Sequence, residues 1–449
     1  TITAVISGYV QPRIENYLSS LQKALADVGI GCGLRVTKSN GGVMTADQAK
    51  SDCIQMVLSG TASGVIGAAY VARLAKLQNC LSLDVGGTSA DVALITDGEP
   101  RFGTGEFIGE FQIFIPSVSV SSIGDGGGSI AWVDEHGVLK VGPESAGSSP
   151  GPVCYGRGGT RPTITDAFAV IGWIGHAGLG YGAVTVDREA ARRAIGGLAE
   201  KLGKGVEETA SAIIDIAVSG MYSGVSAVVS RYGIDPRTFS LLAFGGAGPM
   251  TAVFLAREIG IRHVVVPTTP GVLSALGGLI ADLKNDFVRT VFRDLTQDAL
   301  PDLAKELDAL AARGKAWLRD DQGYDGPAEL SVSAELRYKG QSFELDTPLQ
   351  AEWISNGDLG AIAEAFHAEH RRIYGHADSR ATLQIVALRL VSAGRTPKPE
   401  LPPVAKAEGP VVPDGSASIY IDGAWRDVPL IRRASLRAES ARCTSRNRR

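Results

Sequence analysis

The sequence has little that points to bound zinc or to disulfides. Its five cysteines are scattered with no CxxC pair, and its six histidines show no metal-site spacing apart from one pair. That pair, His367 and His370, lies in the charged stretch FHAEHRRIYGH, which predicts a solvated helix face. An odd, scattered set of cysteines indicates a reducing compartment and argues against a structural zinc ion or a disulfide framework.

The sequence also shows no targeting segment and no strong net charge. We recognise no signal peptide and no apolar run of membrane-spanning length, so we expect a cytoplasmic protein. The net charge of −4 gives no overall field that favours nucleic acid or an anionic membrane, and we expect neither as a partner. A chain of 449 residues has room for two or three domains.

Two familiar nucleotide-binding motifs are absent. No glycine-rich stretch ends in the GK[ST] of a Walker A loop. Neither FGGAGPMT nor GDGGGS completes a Rossmann fingerprint, because Thr251 and Ser129 stand where the third glycine is needed. A P-loop NTPase and a dinucleotide oxidoreductase are therefore disfavoured.

Glycine is abundant instead. The chain has 56 glycines, whereas the average usage of about 7% would give about 31. They cluster in short loops between apolar runs, a pattern typical of a backbone that approaches ligands closely.

The stretch LSLDVGGTSADVALITDGEP, residues 81–100, predicts two adjacent strands joined by a glycine loop. Glycine lets backbone N–H groups turn toward an anion, and a carboxylate at the end of the first strand could hold a divalent cation. A phosphate with magnesium would fit, but so would a glycine-rich hairpin that Asp91 caps. The candidate residues are Asp84, Gly86, Gly87, Thr88, Ser89 and Asp91.

A second loop lies in FSLLAFGGAGPMTAVFLAREIGI, which predicts a strand, a glycine loop and a helix. The amides that open the helix after Pro249 would add partial positive charge for a nucleotide. The order of the two loops, with helices between them, resembles the actin-like ATPase superfamily. The candidate residues of this loop are Gly245, Gly246, Gly248 and Pro249.

Longer motifs make the resemblance more specific, from a superfamily to one family. Together they resemble the hydantoinase A/oxoprolinase family, which includes ATP-dependent hydantoinases, 5-oxoprolinase and subunits of acetone and acetophenone carboxylases. The resemblance extends from about residue 1 to about residue 430. The motifs are LDVGGTSADVALI, GGGSIAWVD, VGPESAGSSPGPVCYGRGG, PTITDA, FGGAGP, PGVLSALGGLIAD and RYKGQSFEL.

The resemblance implies an α/β fold with an actin-like ATPase (ribonuclease H-like) core and a C-terminal α+β domain. It implies ATP with Mg²⁺ or Mn²⁺, a hydantoinase B-type partner subunit and an oligomer. Asp84 and Asp91 would be catalytic, with Asp84 also a metal ligand. The glycine-loop residues at 86–89, 245, 246, 248 and 249 would bind the nucleotide, whereas GGGS at 126–129 matches a family loop without a derived role.

Three departures from the family pattern affect these expectations. The chain has one DxGGT-type stretch, so we expect the usual N-terminal domain with the first phosphate loop to be missing. Ser119, Ser121 and Thr251 stand where relatives often carry Asp or His, which leaves the acid–base chemistry and the substrate open. The arginine-rich end resembles nothing in the family, and we expect it to be disordered.

The sequence therefore predicts four segments. Residues 1–80 lead into the core, residues 81–290 form the ATPase lobe, residues 291–430 form the α+β domain, and residues 431–449 form the basic tail. The Pro-rich stretch RTPKPELPPVAKAEGP, residues 395–410, is predicted to be a linker within the third segment.

We expect the ATP-using subunit of a hydantoinase/oxoprolinase-type amidohydrolase or of a related carboxylase, which activates a carbonyl oxygen by phosphorylation. The substrate would be a cyclic amide or a ketone. One alternative is an inactive fragment or a nucleotide-binding scaffold that lacks the first phosphate loop. A small-molecule kinase of the sugar-kinase type is the third possibility.

Overall fold

The computed structural model describes residues 2–108, 111–176, 178–179, 182, 184–400 and 412–436. Most of the Pro-rich linker, from residue 401, and most of the basic tail, from residue 437, lie outside the described residues. Cys443 also lies outside them, whereas Cys53, Cys80 and Cys154 are buried free thiols.

Helices and strands alternate along much of the chain. The helices are α1 Ile2–Asp27, α2 Ala46–Ser51, α3 Ser59–Leu74, α4 Ile164–Val170, α5 Arg188–Leu202, α6 Val206–Tyr232, α7 Gly248–Ile259, α8 Leu273–Ile280, α9 Leu300–Ala316, α10 Ala351–Ser355 and α11 Leu359–Tyr374. The strands are β1 Arg35–Thr37, β2 Val43–Thr45, β3 Cys80–Val85, β4 Ala90–Thr96, β5 Glu99–Pro100, β6 Phe102–Ile108, β7 Phe111–Val118, β8 Val120–Ile123, β9 Ser129–Val133, β10 Leu139–Ser145, β11 Ser240–Phe244, β12 His263–Val265, β13 Leu283–Asp294, β14 Ala328–Tyr338, β15 Leu345–Leu349, β16 Leu383–Gly394, β17 Gly415–Ile421 and β18 Ala424–Leu430.

The chain folds into two compact units that interleave in sequence. The predicted segments 1–80, 81–290 and 291–430 do not coincide with these units, because strands far apart in sequence pair: Val43 of β2, for example, lies opposite Leu283 of β13. Among the described residues, the first unit takes its members from Thr1–Tyr70, Pro100–Ser119 and Ser274–Lys398, and the second takes its members from Val71–Glu99, Val120–Leu273 and Pro399–Arg449.

The sheet of the second unit has the strand order β12-β11-β3-β4, and β8 also pairs with β4. The strands β12, β11 and β3 are parallel neighbours, whereas β3 and β4 form an antiparallel hairpin. Strand β3 is buried along nearly its whole length, which explains its continuous apolar run. Helices α4, α5, α6 and α7 contribute buried side chains to the same hydrophobic core.

The sheet of the first unit has the order β1-β2-β13-β16-β14-β15. Strands β13, β16, β14 and β15 pair antiparallel, and this part matches the predicted α+β pattern with its hairpin about Lys339 and Gly340. Helix α9 places Leu303, Leu307 and Leu310 on the core of this unit at helical spacing.

Helix α1 has a proline in its interior: it begins at Ile2 and includes Pro12. A proline lacks one N–H donor and crowds the carbonyl four residues earlier, which here belongs to Gly8. In the second half of the helix, Ile14, Leu18, Leu21 and Leu25 recur at helical spacing.

Helix α6 bears on the expectation that no apolar run is long enough to span a membrane. Among the described residues it is the one helix whose length, 27 residues, and apolar composition would allow it to cross a membrane. Buried core helices share both properties. Its core-facing side includes Ala210, Ile213, Ile214, Ala217 and Met221, all buried.

His367 and His370 are buried, so the prediction of a solvated helix face was wrong at these positions. The Tyr338 hydroxyl lies 3.0 Å from Nδ1 of His367, and Nδ1 of His370 lies 2.7 Å from the carbonyl oxygen of His376. Both imidazole rings also pack against the aromatic rings of Tyr338 and Phe366. The signal in the sequence was the spacing of four residues between Phe366 and His370, which places both on one helix face.

Lys38 is an unusual buried cation in the first unit, with a relative exposure of 1%. Its ammonium donates to the Lys284 carbonyl at 3.1 Å and to the side-chain oxygen of Asn285. Burial lowers the pKa of Lys38 to about 8, although the carboxylates of Asp286 and Asp52 favour its charged form. The neighbouring Lys284 lowers this pKa further.

Lys38 should make stability depend on pH. Because its pKa is near 8 in the folded state and 10.5 ordinarily, the unfolded chain binds more protons between these values. The free energy of unfolding should therefore rise with pH across this window, by up to about 3 kcal/mol. Urea unfolding of Lys38→Met at both ends of the window should show this rise abolished, whereas the exposed Lys23→Met should retain it. An equal pH dependence in Lys38→Met would contradict the assignment.

Candidate functional site

Strands β3 and β4 place two carboxylates side by side in the second unit. Asp84 and Asp91 are directly opposite each other in the antiparallel register, so their side chains lie on the same face of the sheet. Both are partly exposed. Like charges directly opposite each other are destabilising, and a bound cation would relieve this repulsion. The pair therefore favours a site that binds a divalent cation.

The loop between these strands is short and open. Residues 86–89 connect Val85 to Ala90, and the Gly86 N–H donates to the Ser89 carbonyl at 3.0 Å. Gly86, Gly87 and Thr88 are exposed. A Cβ added at Gly87 would meet no atom within 4 Å. The loop thus presents bare backbone to the surroundings, as the sequence predicted.

The second glycine loop lies next to the first because the strands that precede them, β11 and β3, are neighbours in the sheet. Strand β11 runs parallel to β3 with Phe244 opposite Asp84, so Gly245 follows directly beside that carboxylate. Gly245 has a φ of +82°, and a Cβ there would lie 2.4 Å from Asp84 Oδ1 and 2.5 Å from the Val85 carbonyl oxygen. Glycine is required at this position because no larger residue fits against the acid.

The beginning of α7 is anchored to the same strand. The Ala247 N–H donates to the Val85 carbonyl at 3.0 Å, which sets the helix start, with Gly248 and Pro249 in its first turn. Gly246 is exposed and has no atom within 4 Å of an added Cβ. All the predicted residues of both loops are therefore brought to one edge of the sheet of the second unit.

The GGGS loop, whose role the sequence left open, supports the first glycine loop from behind. Gly127 N–H donates to the Gly86 carbonyl at 2.9 Å, and Gly128 N–H donates to the Gly87 carbonyl at 2.6 Å. A Cβ at Gly126 would lie 2.5 Å from the Ser89 nitrogen. Backbone packs directly on backbone here, which requires consecutive glycines.

Helix α4 holds the GGGS loop in turn. The Thr165 N–H and hydroxyl both donate to the Gly127 carbonyl, at 2.9 and 2.8 Å. The helix is fixed by buried Asp166, whose carboxylate accepts from the N–H groups of Val153, Cys154 and Thr163 and from the Thr163 hydroxyl. Thr163 and Asp166 form a capping box, a T-x-x-D signal that was visible in PTITDA.

Asp166→Asn should destabilise the protein by about 2–3 kcal/mol, because an amide NH₂ group would face buried N–H donors that the carboxylate now satisfies. The matched control is Asp187→Asn at the exposed N-cap of α5, where Asp187 accepts from the Ala190 N–H. That control should be nearly neutral, since Asn caps helices as well as Asp does. Urea unfolding measures both variants, and equal small effects would refute the supporting role of Asp166.

The residue types at this edge fit a nucleotide with magnesium or manganese. Mg²⁺ is usually bound by one or two carboxylates together with substrate phosphates, and Asp84 and Asp91 provide that number. Within the described residues, no group of three or more His, Cys, Asp or Glu side chains is placed to hold a metal ion by itself. Backbone N–H groups of the exposed loop glycines and of the start of α7 would donate hydrogen bonds to phosphate oxygens.

The structure places two of the positions at which the sequence departs from the expected family pattern, Thr251 and Ser121. Thr251 is fully buried in α7, and its hydroxyl donates to the Gly248 carbonyl at 3.3 Å. Ser121 pairs with Val92 in the β4–β8 register, one position from Asp91.

Comparison with known proteins assigns the family. The family model for hydantoinase/oxoprolinase matches residues 1–287. The chain belongs to the hydantoinase/oxoprolinase family. It is 34% identical to the caprolactamase subunit alpha of Pseudomonas jessenii over 96% of this chain and 63% of that protein. It is 29% identical to the acetone carboxylase beta subunit of Xanthobacter autotrophicus over 97% of this chain and 63% of that subunit.

Two solved structures of this family share the fold. The ATP-dependent caprolactamase from Pseudomonas jessenii matches 96% of this chain and 64% of that chain, with a TM-score of 0.80 and 33% identity. Nucleotide-free acetone carboxylase matches 94% of this chain and 61% of that chain, with a TM-score of 0.75 and 28% identity. The predicted hydantoinase/oxoprolinase membership and α/β, ATPase-like fold are confirmed. The chain spans less than two-thirds of the length of these relatives.

Proposed function

We propose that this chain is the ATP-using part of an enzyme that phosphorylates the carbonyl oxygen of a cyclic amide or a ketone, and that a hydantoinase B-type subunit is its partner. The observation that carries the proposal is the convergence of Asp84, Asp91 and two exposed glycine loops at one sheet edge. Relatives named as ATP-dependent caprolactamase and as carboxylase subunits support it.

The chemistry explains why ATP would be needed. An amide or ketone oxygen is a poor leaving group, whereas its phosphate ester leaves readily. In the proposed step, a lone pair of the carbonyl oxygen forms a bond to the γ-phosphorus as the bond to the β–γ bridging oxygen breaks, and the amide N–H or the ketone α-C–H gives up its proton to solvent. ADP departs with that electron pair. Ring opening or carboxylation would follow, in part on the partner subunit.

The residues of this chain would bind and orient the reactants. Backbone amides of Gly87 and Thr88, and of Gly248 at the start of α7, would hold phosphate oxygens, as loop amides do where they stabilise transferred charge. Asp84 and Asp91 would hold the divalent cation, which neutralises phosphate charge when bound. Gly245 and Gly246 would let the sugar and the base lie close to the backbone.

The test is substrate-dependent release of phosphate from ATP by this chain together with a hydantoinase B-type subunit. We expect release with a hydantoin, 5-oxoproline, ε-caprolactam or acetone in the mixture, and only background release without them. Binding of Mg²⁺–ATP without phosphate release in any mixture would instead support a nucleotide-binding scaffold. A stable phosphorylated product formed without a partner would support a small-molecule kinase.

A further inference from the structure

A serine hydroxyl lies next to the two carboxylates of the second unit. Strand β8 pairs antiparallel with β4, and Ser122 is directly opposite Asp91 in that register. Asp91 is in turn opposite Asp84 of β3. Residues directly opposite each other share a face of the sheet, so the three side chains form one row across three neighbouring strands.

The row lies on the face of the sheet away from the helices, and it becomes more open toward Ser122. The neighbouring residue Ile123 points to the other face, where it packs against the hydrophobic core. Asp84 and Asp91 are partly exposed, whereas Ser122 is exposed. Among the described residues, none hydrogen-bonds the Ser122 side chain, so its hydroxyl is available both to donate and to accept.

Backbone pairing fixes the position of Ser122 relative to the first glycine loop. Ile123 is the last residue of β8 and lies opposite Ala90, which follows that loop. The chain then enters the GGGS loop, whose Gly127 and Gly128 amides donate to the carbonyl groups of the first loop. The hydroxyl is therefore carried by a paired strand rather than by a free loop, as a group that positions other ligands requires.

The spacing suits a group that acts on the water shell of a cation. Directly opposite residues have Cβ atoms about 4.5–5.5 Å apart, which brings the Ser122 hydroxyl within reach of the Asp91 carboxylate and of a molecule beside it. Mg²⁺ bound by one or two carboxylates keeps several water molecules. Hydrogen bonds from outer groups orient such ligands and raise the affinity for the metal.

We propose that Ser122 is a positioning residue of the cation site. Its O–H donates to the carboxylate of Asp91, and its oxygen accepts a hydrogen bond from a water molecule on the divalent cation. The inference rests on the proposed function, in which Asp84 and Asp91 hold that cation. Ser122 was not among the candidate residues of the sequence, because only the pairing of β8 with β4 brings it to the two acids.

The experiment uses Mn²⁺ as the probe, alone and with a non-hydrolysable ATP analogue, and measures free Mn²⁺ by electron paramagnetic resonance. Ser122→Ala should weaken Mn²⁺ binding about fivefold, as expected for the loss of one hydrogen bond. Ser122→Thr keeps the hydroxyl in a residue that suits a strand, so it should retain the affinity. The matched control is Ser121→Ala, which removes a hydroxyl opposite Val92 on the other face and should not change the affinity.

Two further measurements separate positioning from structure. The melting temperature of the metal-free chain should be the same in Ser122→Ala, Ser122→Thr and the unaltered chain, because the side chain is exposed. The relaxation enhancement of water protons per bound Mn²⁺ should change in Ser122→Ala and stay unchanged in Ser121→Ala. A lower melting temperature in Ser122→Ala, or an equal loss of affinity in Ser121→Ala, would make the effect structural and overturn the inference.

The remaining outcomes distinguish this inference from the proposed function. If Asp84→Asn weakens Mn²⁺ binding and Ser122→Ala does not, the cation site stands and the role of Ser122 is refuted. Loss of affinity in Ser122→Thr as large as in Ser122→Ala would also refute it, since the hydroxyl would not be the group responsible. If the unaltered chain binds no Mn²⁺, or binds it equally in Asp84→Asn, both the inference and the proposed cation site are overturned.

Discussion

Asp84→Asn is expected to weaken metal-dependent nucleotide binding strongly while leaving the protein as stable as before or slightly more stable. The amide keeps the shape that packs against Gly245 but loses the charge that a divalent cation requires. Interactions with charged groups contribute about 1.5–3 kcal/mol each, so the affinity for Mg²⁺–ATP should fall at least about tenfold. The substitution also removes the like-charge repulsion with Asp91 across the strand pair.

The measurement is titration calorimetry with Mg²⁺ and an ATP analogue, combined with thermal unfolding of the nucleotide-free chain. Asp97→Asn is the matched control, because Asp97 is an exposed acid at the end of the same hairpin, away from the glycine loop. Unaltered affinity in Asp84→Asn would indicate that the loop is a glycine-rich hairpin that binds no ligand. A large loss of stability would mean that Asp84 is structural.

The second large effect is expected from Gly126→Ala, at a position that is not among the predicted ligand-binding residues. An added Cβ would lie 2.5 Å from the nitrogen of Ser89 and the carbonyl carbon of Thr88, and 2.6 Å from the nitrogen of Thr88. Because these are backbone atoms, the first glycine loop must shift to accommodate Gly126→Ala. We expect a loss of about 1–3 kcal/mol in stability, as for other overpacked sites. Nucleotide affinity should fall with it, since the loop amides would no longer converge.

Gly124→Ala provides a control within the same segment. A Cβ at Gly124 would meet no atom within 4 Å, and its backbone does not need a positive φ. That variant should keep both its melting temperature and its affinity for the ATP analogue. If Gly126→Ala behaves like Gly124→Ala in both measurements, the GGGS loop does not support the nucleotide loop.

Much of the local structure was predictable because its signals are local. The alternation of β-formers about LDVGGTSADV specified the β3–β4 hairpin, and the strand, glycine loop and helix of LLAFGGAGPMT followed from the same kind of pattern. Helices α5 and α6 both end at a glycine, Gly203 and Gly233, which is a local stop signal readable in the sequence. The charged surroundings of His367 and His370 misled the prediction there, because burial depends on what packs against the helix.

The sequence by itself determined the family, the type of core and the identity of the glycine loops, because long ordered motifs and periodic patterns carry that information. The tertiary structure alone decided that Asp84 lies beside Gly245, and that the GGGS loop and Thr165 support residues 86–89. It also decided that strands at residues 43 and 283 share one sheet. The physical reason is that these contacts join segments tens to hundreds of residues apart, and such pairing depends on how whole strands and helices pack rather than on any local pattern.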